Sequence, residues 1–69
     1  MNNRKLILDT LVKRGSNKKE VQSDLEKFND KTINDTLDFA QKFYGKGESG
    51  VIQSYYDLVD LILKGKTDR

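Results

Sequence analysis

Few residues of this chain have types that could do chemistry, and their spacing narrows what they could do. Gly45, Gly47 and Gly50 spell G-x-G-x-x-G. That pattern lets a strand-to-helix turn bring its backbone close to a pyrophosphate. Such a turn needs a strand before the first glycine and a parallel sheet around it. Here the preceding residues 31–44 read as a helix, the chain of 69 residues is too short for such a sheet, and Glu48 would repel phosphate. The glycines therefore read as a flexible connection between two helices. Asp35 and Asp38 share a helical face and could offer a hard cation two carboxylates, fewer oxygens than a calcium loop provides. Asn34-Asp35-Thr36 matches the glycosylation sequon, which has meaning only in a secreted chain. The sequence has no histidine and no cysteine, so the usual general base, nucleophile and zinc ligands are missing. The carboxylates fall on faces predicted to be exposed, where burial does not tune a carboxyl for proton transfer. The expectation is a protein that is not an enzyme, with no cofactor, no metal and no small-molecule substrate.

Length and composition set the scale of the elements that could position a site. The size predicts one domain, 1–69, with a thin core. With no disulfide to staple it, stability has to come from helix packing, a partner subunit, or both. The lack of cysteine suits a cytoplasmic protein. No apolar run approaches the length of a membrane span, and the short apolar run after the first charges does not resemble a signal peptide. The formal net charge is +2, but it is unevenly spread. Residues 1–19 carry six basic residues against Asp9, residues 20–44 carry six acids against three lysines, and residues 45–69 balance. The basic third could meet an anion such as nucleic acid or could be a solubilising surface.

The chain has no proline, and its periodicity predicts an all-α fold of four helices near 3–14, 18–28, 31–44 and 50–64. In the first, Ile7, Leu8, Leu11 and Val12 share a side, and Gly15 follows as a C-cap glycine. Ser16 or Asn17 can cap the second helix, and Asn17 with Glu20 has capping-box spacing. The only apolar seam of that helix is Val21, Leu25 and Phe28, so it should lie at the edge of the core. Asn29 and Asp30 end it, and Asp30 can cap the third helix. There Ile33, Leu37, Ala40 and Tyr44 stack on one face, with Phe39 and Phe43 extending that face. Lys31, Asn34, Asp35, Asp38, Gln41 and Lys42 lie opposite. Residues 45–50 form a flexible loop, with Ser49 as the expected N-cap of the fourth helix. Gly65 should cap its end, and 66–69 should fray. The competing expectation at 51–56 is a strand of a wing hairpin.

The fourth helix is unusual in its width. On a helix of 100° per residue, Asp57, Asp60, Gln53 and Lys64 share a narrow arc, and nearly all the rest is apolar. An ordinary surface helix has an apolar stripe of roughly 100° or a little more. Three small helices could cover one side, centred on Val51, Tyr55, Leu58 and Ile62. The flank Ile52, Tyr56, Val59 and Leu63 would stay partly open, an interface for a protein partner or for a homodimer. Tyrosines beside aliphatics suit that use.

Residues 17–38 resemble a helix-turn-helix segment of small bacterial or phage regulators. The stretch from Glu20 to Ile33 follows that segment's order: acid, aliphatic, small residues, leucine, a short turn with one apolar residue, then threonine and isoleucine. Val21, Leu25, Phe28, Ile33 and Leu37 take its core positions. The turn lacks the glycine that many such segments carry, and Asp35 and Asp38 sit on the would-be reading helix. The resemblance implies DNA binding, with Lys13, Arg14, Lys18 and Lys19 on phosphates and Lys31 and Asn34 on base edges. Two functions follow from the sequence. One is a small helical interaction module acting as inhibitor, adaptor or regulator of a larger protein, of bacterial, phage or plasmid type in composition. The other is a DNA-binding transcriptional regulator.

Overall fold

Three asparagines start the first three helices. The computed structural model describes residues 2–69, which form α1 (Asn3–Lys13), α2 (Lys18–Glu26), α3 (Asp30–Tyr44) and α4 (Glu48–Leu63). Among the described residues there is no strand, so the wing-hairpin expectation for 51–56 gives way to helix. Asn2 accepts from the Arg4 and Lys5 amides, Asn17 from Glu20 and Asn29 from Thr32. Each pairing satisfies donors that a helix start leaves without a carbonyl. The N-cap of α3 is thus Asn29, and Asp30 is its first helical residue, where its charge suits the helix dipole.

α1 and α4 end alike. Gly15 takes a positive φ of 100°. The amides of Gly15 and Ser16 then reach back to the carbonyls of Val12 and Leu11. At the other terminus Gly65 and Lys66 reach Ile62 and Leu61 in the same pattern. These are Schellman closures, which place glycine at the left-handed position because a Cβ is unfavourable there.

α4 is the shared element. It packs against α1, α2 and α3, most extensively α3, whereas α2 and α3 barely touch. Its buried side is Gly50, Val51, Ser54, Tyr55 and Leu58. Against it lie Ile7 and Leu11 of α1, Val21 and Leu25 of α2, Phe28 of the turn, and Ile33, Leu37 and Ala40 of α3. Ser54 is fully buried, and its hydroxyl donates to the Val51 carbonyl at 2.5 Å, so no polar atom is stranded there. Of the seam expected on the second helix, Val21 and Leu25 are the buried face of α2, while Phe28 is buried just past its end at Glu26.

Three expectations about α4 and its approach need correction. It begins at Glu48 with Gly47 as N-cap and no side-chain cap bond, so Ser49 lies inside the helix. The loop shrinks to residues 45–47. Gly50, assigned to the loop from sequence, is buried at the crossing with α3. A Cβ there would run into the Gly45 carbonyl oxygen and come within 3.1 Å of Gln41 Cα and Cγ. Glycine is what lets the two helices pack at their joined ends.

The tail expected to fray is docked. The amides of Asp68 and Arg69 donate to the Lys27 carbonyl at 3.0 and 3.2 Å. Asp68 Oδ2 accepts from the Asn29 amide at 3.0 Å, and Arg69 Nη1 donates to Glu26 O at 3.4 Å. The end of α2 and the start of α3 leave backbone groups without helical partners, and the tail supplies some of them. That hydrogen bond to Asn29, then one to Thr32, holds the Asp68 carboxyl below the ordinary aspartate value. Among the described residues, no helix is long and apolar enough to cross a membrane.

Candidate functional site

The surface feature that stands apart from ordinary polar exposure lies on α3 and α4. Phe39 is 61% exposed, Phe43 66% and Tyr44 56%, against the expectation that all three join the core face of α3. The helical wheel explains the difference. The buried stripe of α3 is Ile33, Leu37 and Ala40. At 100° per residue, Phe43 lies about 90° round from its centre and Phe39 about 130°. α4 is one helix wide and covers only the stripe. Tyr44 lies nearer the stripe but is the last residue of α3, where the chain turns away at Gly45. The two phenylalanine rings pack on each other instead, centroids 4.9 Å apart and tilted by 53°.

These rings form one wall of a groove of about 290 Å³, whose other wall is Gln53 and Asp57 of α4. Gln53 Nε2 donates to Asp57 Oδ1 at 3.0 Å across one helical turn. Among the described residues no cation lies within ion-pair distance of Asp57, whereas Asp60 pairs with Lys64 and Asp35 with Lys31.

Farther round α4 is the flank chosen from the sequence. Ile52 and Val59 are half-buried, Tyr56 is 57% exposed and Leu63 is 80% exposed. Of the side chains named as an interface, Tyr56 and Leu63 are open to solvent, while Ile52 and Val59 pack partly against the core. Asp60, Gln53, Lys64 and Asp57 form a polar ridge between this flank and the aromatic groove. Tyr55 is buried beside Tyr56, their ring centroids 6.2 Å apart. Its hydroxyl donates to Asp24 of α2 at 2.5 Å. Burial, and then that hydrogen bond, push the phenol well above the ordinary tyrosine value.

The residues named for DNA are not brought together. Lys13 and Arg14, at the end of α1, lie 4.0 and 3.6 Å from Glu48 at the start of α4. Lys18 and Lys19 open α2 close by in the chain, exposed. Lys31 and Asn34 are at the other end of α1, beside Asn3 and Arg4. The length of α1, about 16 Å at 1.5 Å per residue, separates the two groups. Lys31 Nζ is held by Asp35 at 2.7 Å, which raises its pKa, and Asn34 Oδ1 accepts from Asn3 at 2.7 Å. The reading helix thus presents Asp35 and Asp38 to solvent, while Lys31 Nζ and the Asn34 side-chain oxygen are engaged. Arg4, counted among the basic third, faces inward. It donates to the carbonyls of Leu25 and Phe28 and to Asp30.

The helix-turn-helix core positions are all buried, as they would be in many small helical folds. Comparison with protein-family models, with curated protein sequences and with solved structures finds no match.

Sequence reasoning missed the aromatic groove. The available signal was the offset of Phe39 and Phe43 from the Ile33–Leu37–Ala40 stripe, which is wider than a single covering helix.

Proposed function

We propose that this chain is a small protein-interaction module that docks through the outer side of α3 and α4. One observation carries the reading. Phe39, Phe43, Tyr44, Tyr56 and Leu63, each more than half exposed, all belong to those two helices. Single exposed apolar residues are normal, but several large ones on two adjacent helices of a small chain are the mark of a contact surface. Aromatic side chains are the anchors that interfaces favour.

Photo-crosslinking tests this. A photoreactive residue replaces Phe43, Leu63 or Lys19 in turn, and each variant is irradiated in extract of the source cells. Discrete protein adducts at Phe43 and Leu63, with none at Lys19, are the expected result. Adducts to DNA at Lys19, with none at the other two positions, would support the regulator reading and remove this one.

A further inference from the structure

We infer that the groove between the Phe39–Phe43 pair and the Gln53–Asp57 pair receives an arginine side chain, carried by an apolar peptide segment of the partner protein. This rests on the docking-face reading and specifies the partner's chemistry.

The first argument is size. About 290 Å³ lies at or below the small end for cofactor and small-molecule sites and suits a single large side chain. The second is electrostatic. The groove holds one carboxylate, Asp57, and among the described residues no cation reaches it. Asp57 is the one charged residue in the lining. Its carboxylate attracts a basic side chain and repels an acidic one.

The third argument is hydrogen-bond chemistry. Gln53 Nε2 uses one Asp57 oxygen. The second Asp57 oxygen and the Gln53 carbonyl oxygen have no donor among the described residues, which leaves acceptors for a forked cation. A guanidinium supplies several donors in one plane and stacks on aromatic faces, whereas an ammonium is a strongly hydrated point charge. Phe39, Phe43 and Tyr44 provide those faces on the opposite wall. Apolar residues flanking the arginine would cover the exposed parts of the same rings.

The experiment uses the full chain, labelled with nitrogen-15, and three leucine-rich peptides that differ at one residue type: arginine, citrulline or glutamate. Citrulline keeps the planar shape without the charge. The expected result is that the arginine peptide shifts the amides of Phe39, Phe43, Gln53 and Asp57. The citrulline peptide should bind about tenfold more weakly, and the glutamate peptide weaker still. Asp57→Asn should weaken the arginine peptide about tenfold and leave the citrulline peptide unchanged. Phe43→Ser should weaken both, with circular dichroism confirming that each variant is folded. Tenfold corresponds to about 1.4 kcal/mol. Equal affinity for all three peptides, an Asp57→Asn variant that binds the arginine peptide normally, shifts confined to the Ile52–Leu63 strip, or no binding at all would each overturn the inference. The docking-face reading would survive any of these and falls only on its own crosslinking result.

Discussion

Replacing Arg4 with methionine should destabilise the fold by about 2–3 kcal/mol, a large effect for a residue that sequence places among surface cations. The side chain is 24% exposed. Its guanidinium donates to Leu25 O at 2.6 Å, to Phe28 O, and to Asp30 Oδ1 at 2.8 Å. Leu25 O also accepts from the Phe28 amide, so it keeps a partner when Arg4 is lost. A hydrogen bond involving a charged group contributes about 1.5–3 kcal/mol, but water can recover part of it at a quarter-exposed site. The Asp30 end is 86% exposed, and such ion pairs add only about 0–1 kcal/mol. The loss therefore falls mainly on the carbonyl contacts. Methionine keeps most of the apolar stem, so packing changes little. In a chain of this size each kcal/mol moves the melting temperature by about 4–8 °C, giving a fall of roughly 8–24 °C. Urea and thermal unfolding followed by far-ultraviolet circular dichroism measure it. Arg4→Lys should restore only part, because an ammonium does not reproduce the fork. A loss below about 0.5 kcal/mol, the level of an ordinary surface substitution, would refute the view that Arg4 clamps α1 across the α2–α3 turn.

Three further outcomes are expected. Gly50→Ala should destabilise by about 1–3 kcal/mol through overpacking, outweighing the roughly 0.5–1 kcal/mol that alanine offers a helix; denaturant unfolding that finds it neutral would mean the α3–α4 crossing is loose. The raised pKa of Tyr55 means that the folded state holds its proton more tightly than the unfolded state does. Its contribution is therefore complete below the ordinary tyrosine value near pH ~10 and is lost as pH rises through the higher folded value. Tyr55→Phe should flatten the alkaline limb of stability against pH, and an unchanged limb would count against the Tyr55–Asp24 bond. Leu63→Glu and Phe43→Ser should each stay within about 0.5 kcal/mol of the parent in stability, while Leu63→Glu abolishes any self-association that sedimentation detects at tens of micromolar; unfolding of the Leu63 variant would place that side chain in the core.

The periodicity of the chain and its cap residues were enough to determine that it forms four helices and roughly where they run. Alternation at helical spacing, the absence of proline, and asparagine and glycine at the ends specify four helices. These signals are local: a cap satisfies amides two or three residues away, and an apolar stripe is written within one helix. The partly open flank of Ile52, Tyr56, Val59 and Leu63 was legible for the same reason, because a helix apolar nearly all round outruns what three small neighbours can cover. What only the tertiary structure decided depends on groups far apart in the chain. Arg4 looks like a surface cation until the end of α2 and the turn after it bring the Leu25 and Phe28 carbonyls to it. The tail looks free until Lys27 and Asn29 accept and donate to it. Ser49 looks like a cap, but the absence of a side chain at Gly50 lets α4 start two residues earlier, at Glu48, against α3. Phe39 and Phe43 look like core until the width of the covering helix is known. Sequence gives the direction in which each side chain leaves its helix. Whether something waits there is fixed by how the helices cross, and that crossing leaves the aromatic groove open beside Asp57.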